Sequence, residues 1–275
     1  MVIWQSVLSV EKCCGRGRDD ILKRIMLIVA YDGTDYHGWQ FQPGVPTIEG
    51  ELNKALEELL GEKAQVTGAS RTDAGVHALC NGAVFDTETK IPAQKISYAL
   101  NQRLPEDIKI QKSMEVPGDF HPRHHALQKT YEYRILNREF PLPTKRRYSY
   151  FTYVYLDEKR MQKGADFLVG EHDFKSFCAS GAVVQTTVRT IDGILVEKQG
   201  DEIIIRVWGG GFLYNMVRII AGTLMEVGRG NLEPGAVKDI LAARDRGSAG
   251  PTAPACGLTL VDYKWSCQGT FEMIE

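Results

Sequence analysis

The sequence predicts an α+β fold in two halves, each with an antiparallel sheet and helices on one face, and with a cleft between the halves. Three observations lead there. Short β-branched apolar runs, such as Met26 to Tyr31, alternate with stripes at helical spacing, such as Ile48, Leu52, Ala55, Leu56, Leu59 and Leu60. The first half runs strand, helix, strand, strand, helix, strand, strand, which is a ferredoxin-like or RRM-like split β-α-β unit with one strand added. The second half repeats this grammar less cleanly, after an aperiodic stretch from Glu139 to Tyr148 rich in Pro, Lys and Arg.

Each element has a local reason. Asp32-Gly33 ends the first strand with a turn signal. Thr47 is placed to cap the first helix, and Gly61 closes it. Ala64 and Val66 alternate with polar neighbours, and Val76 to Phe85 reads as a strand. A helix over about Pro92 to Arg103 carries Ile96, Ala99 and Leu100, and Pro105 ends it. Ile108 to Val116 and Thr130 to Leu136 are strands, the latter setting Tyr131, Tyr133 and Ile135 against Glu132 and Arg134. In the second half a helix is expected over Leu156 to Val169. Thr187 to Val196 and Glu202 to Trp208 are strands around the turn Gln199-Gly200-Asp201. Phe212, Met216, Ile219, Ile220, Leu224 and Val227 form a helical stripe. A helix from Ala236 to Arg244 and a strand from Leu258 to Trp265 close the chain.

Composition narrows the classes. The 275 residues suit one or two domains. The reading is an extension at 1–24, an N-terminal α+β domain at 25–138 and a C-terminal one at 139–275. Hydrophobic residues at 43% and charged residues at 25% exclude a disordered or fibrous chain. No apolar run approaches the ~20 residues of a membrane span. A net charge of −2 excludes a uniformly basic coat but allows a local basic cleft. The six cysteines form no C-x-x-C pair and read as reduced thiols of a cytosolic protein. The extension lacks the order of a secretory signal.

Several residues invite chemistry, each beside a plainer reading. Gly68 to Ala78 stands between two strands and holds Arg71 and Asp73 close together. Asp73 either closes an Asx turn or, beside a guanidinium, stays ionised as a nucleophile or base. Arg218 lies nearly opposite the apolar stripe of its helix, so it is either solvated or aimed into a cleft at a carboxylate or phosphate. Tyr131 is either a core aromatic or a ring at the end of its strand face that stacks on a flat ligand. His121, His124 and His125 lack the companion ligand of a metal site, and Arg123 among them suits a phosphate. Gly209-Gly210-Gly211 lacks the spacing of a nucleotide loop and reads as a turn allowing close backbone approach. Basic residues with interleaved aromatics at Lys129 to Arg138 and Lys145 to Tyr150 suit either an RNA backbone or solvent.

Seven blocks, in order, resemble one family. They are Tyr31-Asp-Gly-Thr-Asp-Tyr-His-Gly-Trp-Gln40, Arg71-Thr-Asp-Ala-Gly-Val-His-Ala78, Asn101-Gln-Arg-Leu-Pro-Glu-Asp-Ile108, Lys129-Thr-Tyr-Glu-Tyr133, Gly170-Glu-His-Asp-Phe-Lys-Ser-Phe177, Phe212-Leu-Tyr-Asn-Met-Val-Arg218 and Gly250-Pro-Thr-Ala-Pro-Ala255. The chain from Ile25 onward resembles the tRNA pseudouridine synthase A family. One block departs from it: Phe120-His-Pro-Arg-His-His-Ala126 carries Pro122 and His125 where the family has other residues.

The resemblance implies a cytoplasmic isomerase that turns uridine into pseudouridine on the 3′ side of the tRNA anticodon stem-loop. It implies a homodimer with no metal and no small-molecule cofactor, and the lack of a long apolar run adds no membrane association. It places the catalytic aspartate on Asp73, its arginine partner on Arg218 and the active-site tyrosine on Tyr131. Arg71 and Arg123 are then candidates for the phosphates of the displaced nucleotide. A non-catalytic tRNA-binding module on the same scaffold is the alternative.

Overall fold

A computed structural model describes residues 22–181 and 184–266. The expected extension lies almost wholly outside the described residues, and the first strand begins at Lys23, three residues ahead of the expected Met26. The first half supplies β1 (Lys23–Tyr31), α1 (Ile48–Leu60), β2 (Thr67–Gly68), β3 (His77–Thr87), α2 (Ala93–Asn101), β4 (Ile108–Val116) and β5 (Ala126–Asn137). The second supplies β6 (Tyr150–Thr152), α3 (Glu158–Ala165), β7 (Gly170–Asp173), β8 (Val188–Gln199), β9 (Glu202–Gly209), α4 (Met216–Gly228), α5 (Ala236–Ala243) and β10 (Leu258–Trp265).

The α+β class stands, and the sheets expected for the two halves are joined into one. Strand order is β4-β1-β3-β10-β5-β9-β8-β7, with β2 on β3 and β6 on β5. The join is β10. It pairs antiparallel with β5, from Leu258 against Tyr133 to Trp265 against Ala126, and parallel with β3 through Thr259–His77 and Leu260–Ala78. A strand bonded along both edges leaves neither half with an open edge at this point.

Alternation explains the layering. Ile25, Leu27 and Val29 of β1 face the main core, where Leu52 and Leu56 of α1 and Ile96 and Leu100 of α2 cover them. Met26 and Ile28 face the other side and meet Met114, Val116 and Phe120 in a smaller cluster. The main core continues across the molecule through Ile203 and Ile205 of β9 to Ile219, Ile220 and Leu224 of α4.

Three departures from expectation have clear local causes. The helix foreseen over Leu156 to Val169 is shorter, because Asp157 caps α3 by accepting from the Lys159 and Arg160 amides and the last turn tightens to 3-10 geometry. Strands β6 and β7 are only three and four residues long, too short to show a period. Phe212 lies outside the helix whose stripe it was expected to join. Asn215 adopts left-handed geometry (φ 57°), which starts α4 at Met216 and turns Phe212 elsewhere.

Candidate active site

Residues 69–76 link β2 to β3 as a loop carrying Asp73. It is held by the segment that follows β1. The Trp39 amide donates to the Thr72 carbonyl at 3.0 Å, and the Gly75 amide donates to the Tyr36 carbonyl at 3.2 Å. Gly38 sits at φ +87°, and a Cβ there would stand 2.6 Å from the Thr72 carbonyl oxygen. Only glycine permits this approach, so the block from Tyr31 to Gln40 serves as the brace of the loop.

A buried polar network holds the loop from behind. The Tyr31 and Thr72 hydroxyls lie 2.7 Å apart. Asn81, fully buried on β3, accepts from the Ser70 amide at 3.2 Å and donates to the Ser70 carbonyl at 3.0 Å. The Tyr263 hydroxyl on β10 donates to the Ser70 hydroxyl and lies 3.2 Å from Asn81 Oδ1. Two positions of the loop, Ser70 and Thr72, are thus tied to three different strands.

The loop turn is closed by backbone: the Val76 amide donates to the Asp73 carbonyl at 3.1 Å. The carboxylate is left for the cleft rather than for an Asx turn. Its Oδ2 lies 3.5 Å from a guanidinium nitrogen of Arg218. The two side chains are 20% and 17% exposed, so the pair is shielded yet reachable. Arg218 is aimed by its other contacts. Its Nε donates to the Ala253 carbonyl at 2.7 Å, and the nitrogen that faces Asp73 also donates to Asn215 Oδ1 at 2.8 Å. The left-handed Asn215 that starts α4 therefore also orients the arginine. Burial pushes the Asp73 carboxyl above its ordinary range, and Arg218 opposes that rise. The guanidinium that meets this carboxyl is that of Arg218, from far along the chain, and not that of its sequence neighbour Arg71.

Tyr131 is a buried aromatic that also borders the cleft. The ring is 9% exposed, on the β5 face it shares with Tyr133 and Ile135, and its edge lines the cleft. Phe212 meets it edge to face, with ring centroids 5.3 Å apart. Burial raises the Tyr131 phenol to about 12, with a hydrogen bond to Ser70 acting against the rise, so the hydroxyl is protonated at neutral pH.

The cleft around this pair holds 680 Å³ and is lined on one side by the Asp73 loop with Arg123 and Lys129, and on the other by Phe212 to Val217. Five residues singled out from the sequence, Arg71, Asp73, Arg123, Tyr131 and Arg218, come together here: four line the cleft, and Arg218 meets Asp73 from behind it. Sequence reasoning missed Lys129 as a cleft residue, although its i, i+2 spacing from Tyr131 was the available signal. It also missed Asn215, whose type suits the left-handed position before a helix.

Four cations of the two basic stretches turn to acids of the chain itself. Arg134 bonds Glu132 at 2.7 Å, Arg138 bonds Asp201 at 3.0 Å, Lys145 meets Glu202 at 3.2 Å and Arg147 meets Asp35 at 3.3 Å. These cations are neutralised within the chain. Arg123 leaves the histidine segment to donate from Nε to the Gly68 carbonyl at 3.0 Å. His121 and His124 stack with centroids 4.3 Å apart, and His125 stacks on Phe120. Among the described residues, no group of three or more His, Cys, Asp or Glu is placed to hold a metal. In the triglycine run, a Cβ at Gly209 would lie 2.5 Å from the Thr190 carbonyl oxygen, so close strand approach explains that glycine.

The sequence that builds this cleft has counterparts among known proteins. A family model described as "tRNA pseudouridine synthase" matches residues 27–124 and 165–266, and the chain belongs to that family. Its curated relatives carry a more particular name. It is 48% identical over 240 residues to "tRNA pseudouridine synthase A" of Thermoanaerobacter sp. (strain X514), covering 87% of this chain and 98% of that relative. It is 46% identical over 241 residues to the protein of that name from Acetivibrio thermocellus, covering 88% and 99%. It is 49% identical over 241 residues to that from Ruminiclostridium cellulolyticum, covering 87% and 98%.

Proposed function

We infer that this chain is an isomerase converting uridine to pseudouridine in tRNA, and that its target lies on the 3′ side of the anticodon stem-loop. Family membership supports the reaction, and the Asp73–Arg218 contact in the cleft carries the assignment of the residues.

The reaction breaks the C1′–N1 glycosidic bond, turns the uracil and joins C1′ to C5. The C5 proton leaves and N1 gains one, so the atoms balance without an outside reagent. Asp73 serves as the nucleophile, with Arg218 favouring its ionised form and fixing its direction. Tyr131 stacks on the flipped uracil, and its hydroxyl takes part in moving the C5 proton, with Ser70 as its hydrogen-bond partner. Flipping costs a few kcal/mol, which the cleft offsets by stacking and by contacts from Arg71 and Arg123 to phosphates.

We further propose that residues 25–138 and 139–275 act as two halves that meet at the cleft, that the protein is a cytoplasmic homodimer, and that one tRNA contacts both subunits. The chemistry of the thiols fits that compartment, since Cys80, Cys178 and Cys256 are unpaired. No described helix is long and apolar enough to cross a membrane. Mapping pseudouridine in tRNA incubated with the purified protein tests the activity: new pseudouridine in the anticodon stem-loop is expected, and unchanged uridines would overturn it. Native mass measurement tests the dimer.

A further inference from the structure

We propose that Lys129, with Arg123 and Arg71 beside it, forms an anion subsite that seats a backbone phosphate of the RNA next to the flipped uridine. This rests on the reading of the cleft as an RNA-modifying site. Lys129 and Tyr131 share one face of β5, and both line the cleft. Register places Lys129 directly across from Tyr263 of β10, with the ammonium 5.9 Å from the Tyr263 ring centre. That ring is fixed, because its hydroxyl is tied to Ser70 and Asn81.

The charge pattern asks for an anion. Among the described residues the Lys129 side chain makes no hydrogen bond and no ion pair, unlike those of Arg134 and Arg138 further along the same basic stretch and of Lys145 in the next. The groups that face it are Tyr263 from β10 and Arg123 from the loop ahead of β5, and its partner on β9 is Gly209, which carries no side chain. Arg71 in turn bears on Arg123. The carboxylate felt by Arg123 is that of Glu49, which already accepts from the Phe41 amide at 2.7 Å. Asp73 is held by Arg218. Three cations therefore line one wall without an acid of their own, and a phosphate from outside neutralises them. Burial, with Arg123 adding to it, lowers the Lys129 ammonium to about 8. The charged form thus prevails below that pH and is lost above it, so RNA affinity falls as the solution turns mildly alkaline.

The test is the affinity of the full-length protein for an anticodon stem-loop transcript, measured over a salt series at about pH 7 and about pH 9. Lys129→Met is expected to weaken binding about tenfold at the lower pH and to reduce the salt slope by about one. Lys129→Arg, which stays charged, is expected to restore affinity and to remove the loss at the higher pH. Wild-type affinity and slope in the Met variant, or an equal alkaline loss in wild type and the Arg variant, would overturn the subsite. Turnover of wild type on the same transcript is recorded in parallel. Binding shifts as predicted with no pseudouridine formed would leave the subsite standing and remove the isomerase reading.

Discussion

Arg218, on the first turns of α4, brings a guanidinium nitrogen within 3.5 Å of the Asp73 carboxylate on the loop before β3. The contact joins the two halves of the chain, each near its middle. Arg218 opposes the burial that raises the Asp73 carboxyl. Replacing it with methionine removes that opposition, so the carboxyl rises further. The acid limb of the kcat/KM profile, already above that of an ordinary aspartate, should shift to higher pH in Arg218→Met. kcat at neutral pH should fall about 100-fold or more. An unmoved acid limb in a pH–rate series would show that Arg218 does not act on Asp73.

Tyr131 offers a ring and a hydroxyl that substitutions can separate. Tyr131→Phe keeps the edge-to-face contact with Phe212, so KM should change less than about twofold. The variant loses the protonated hydroxyl, and kcat should fall by roughly 10²–10⁴, the usual range for a positioned acid–base group. Steady-state kinetics on a tRNA transcript separates the two effects; a raised KM with normal kcat would assign Tyr131 to binding alone.

The network behind the loop makes a stability prediction. Asn81 is fully buried and bonds both backbone groups of Ser70. Asn81→Ala strands the Ser70 amide and carbonyl and loosens Tyr263. Urea unfolding should report a loss of about 2–4 kcal/mol. A loss below about 1 kcal/mol would mean that water replaces the side chain without penalty.

Gly38 supplies a separate test of the brace. Gly38→Ala meets both a left-handed backbone (φ +87°) and the Thr72 carbonyl 2.6 Å from its Cβ. The Asp73 loop must then shift. Activity should drop by about 100-fold, in line with misplacement of about an ångström at a reacting group. Comparison with Gly44→Ala, at φ +81° with open space around it, separates backbone strain from the collision with the loop.

Much of this was legible in the sequence, and the reasons are local. Thr47 and Gly61 cap α1 where the spacing of Ile48, Leu52 and Leu56 placed it, because caps and period are encoded within a few residues. Strands β4 and β10 begin and end where their patterns do. The merging of two sheets through β10 was not legible, since pairing between distant strands leaves no mark in local composition. The site divided along the same line. Asp73, Arg218 and Tyr131 could be named individually, but the choice between their plain and chemical readings depended on what stood across the cleft. Phe212 misled because its spacing fits the stripe of α4, while one left-handed residue, Asn215, separates it from that helix. Arg134 and Arg138 read as either RNA-facing or solvated because Glu202 and Asp201, which they meet, lie far along the chain.

The most direct measurement of the central claim is pseudouridine formation by Asp73→Asn on a tRNA anticodon stem-loop, alongside RNA affinity and thermal unfolding of the same variant. Because burial raises the Asp73 carboxyl, its ionised form is held less favourably in the folded chain than in the unfolded one, so removing the charge should leave the melting temperature unchanged or higher. The variant should bind RNA within a few-fold of wild type and form no pseudouridine. Pseudouridine accumulating at the wild-type rate in a folded, RNA-bound Asp73→Asn protein would contradict the account.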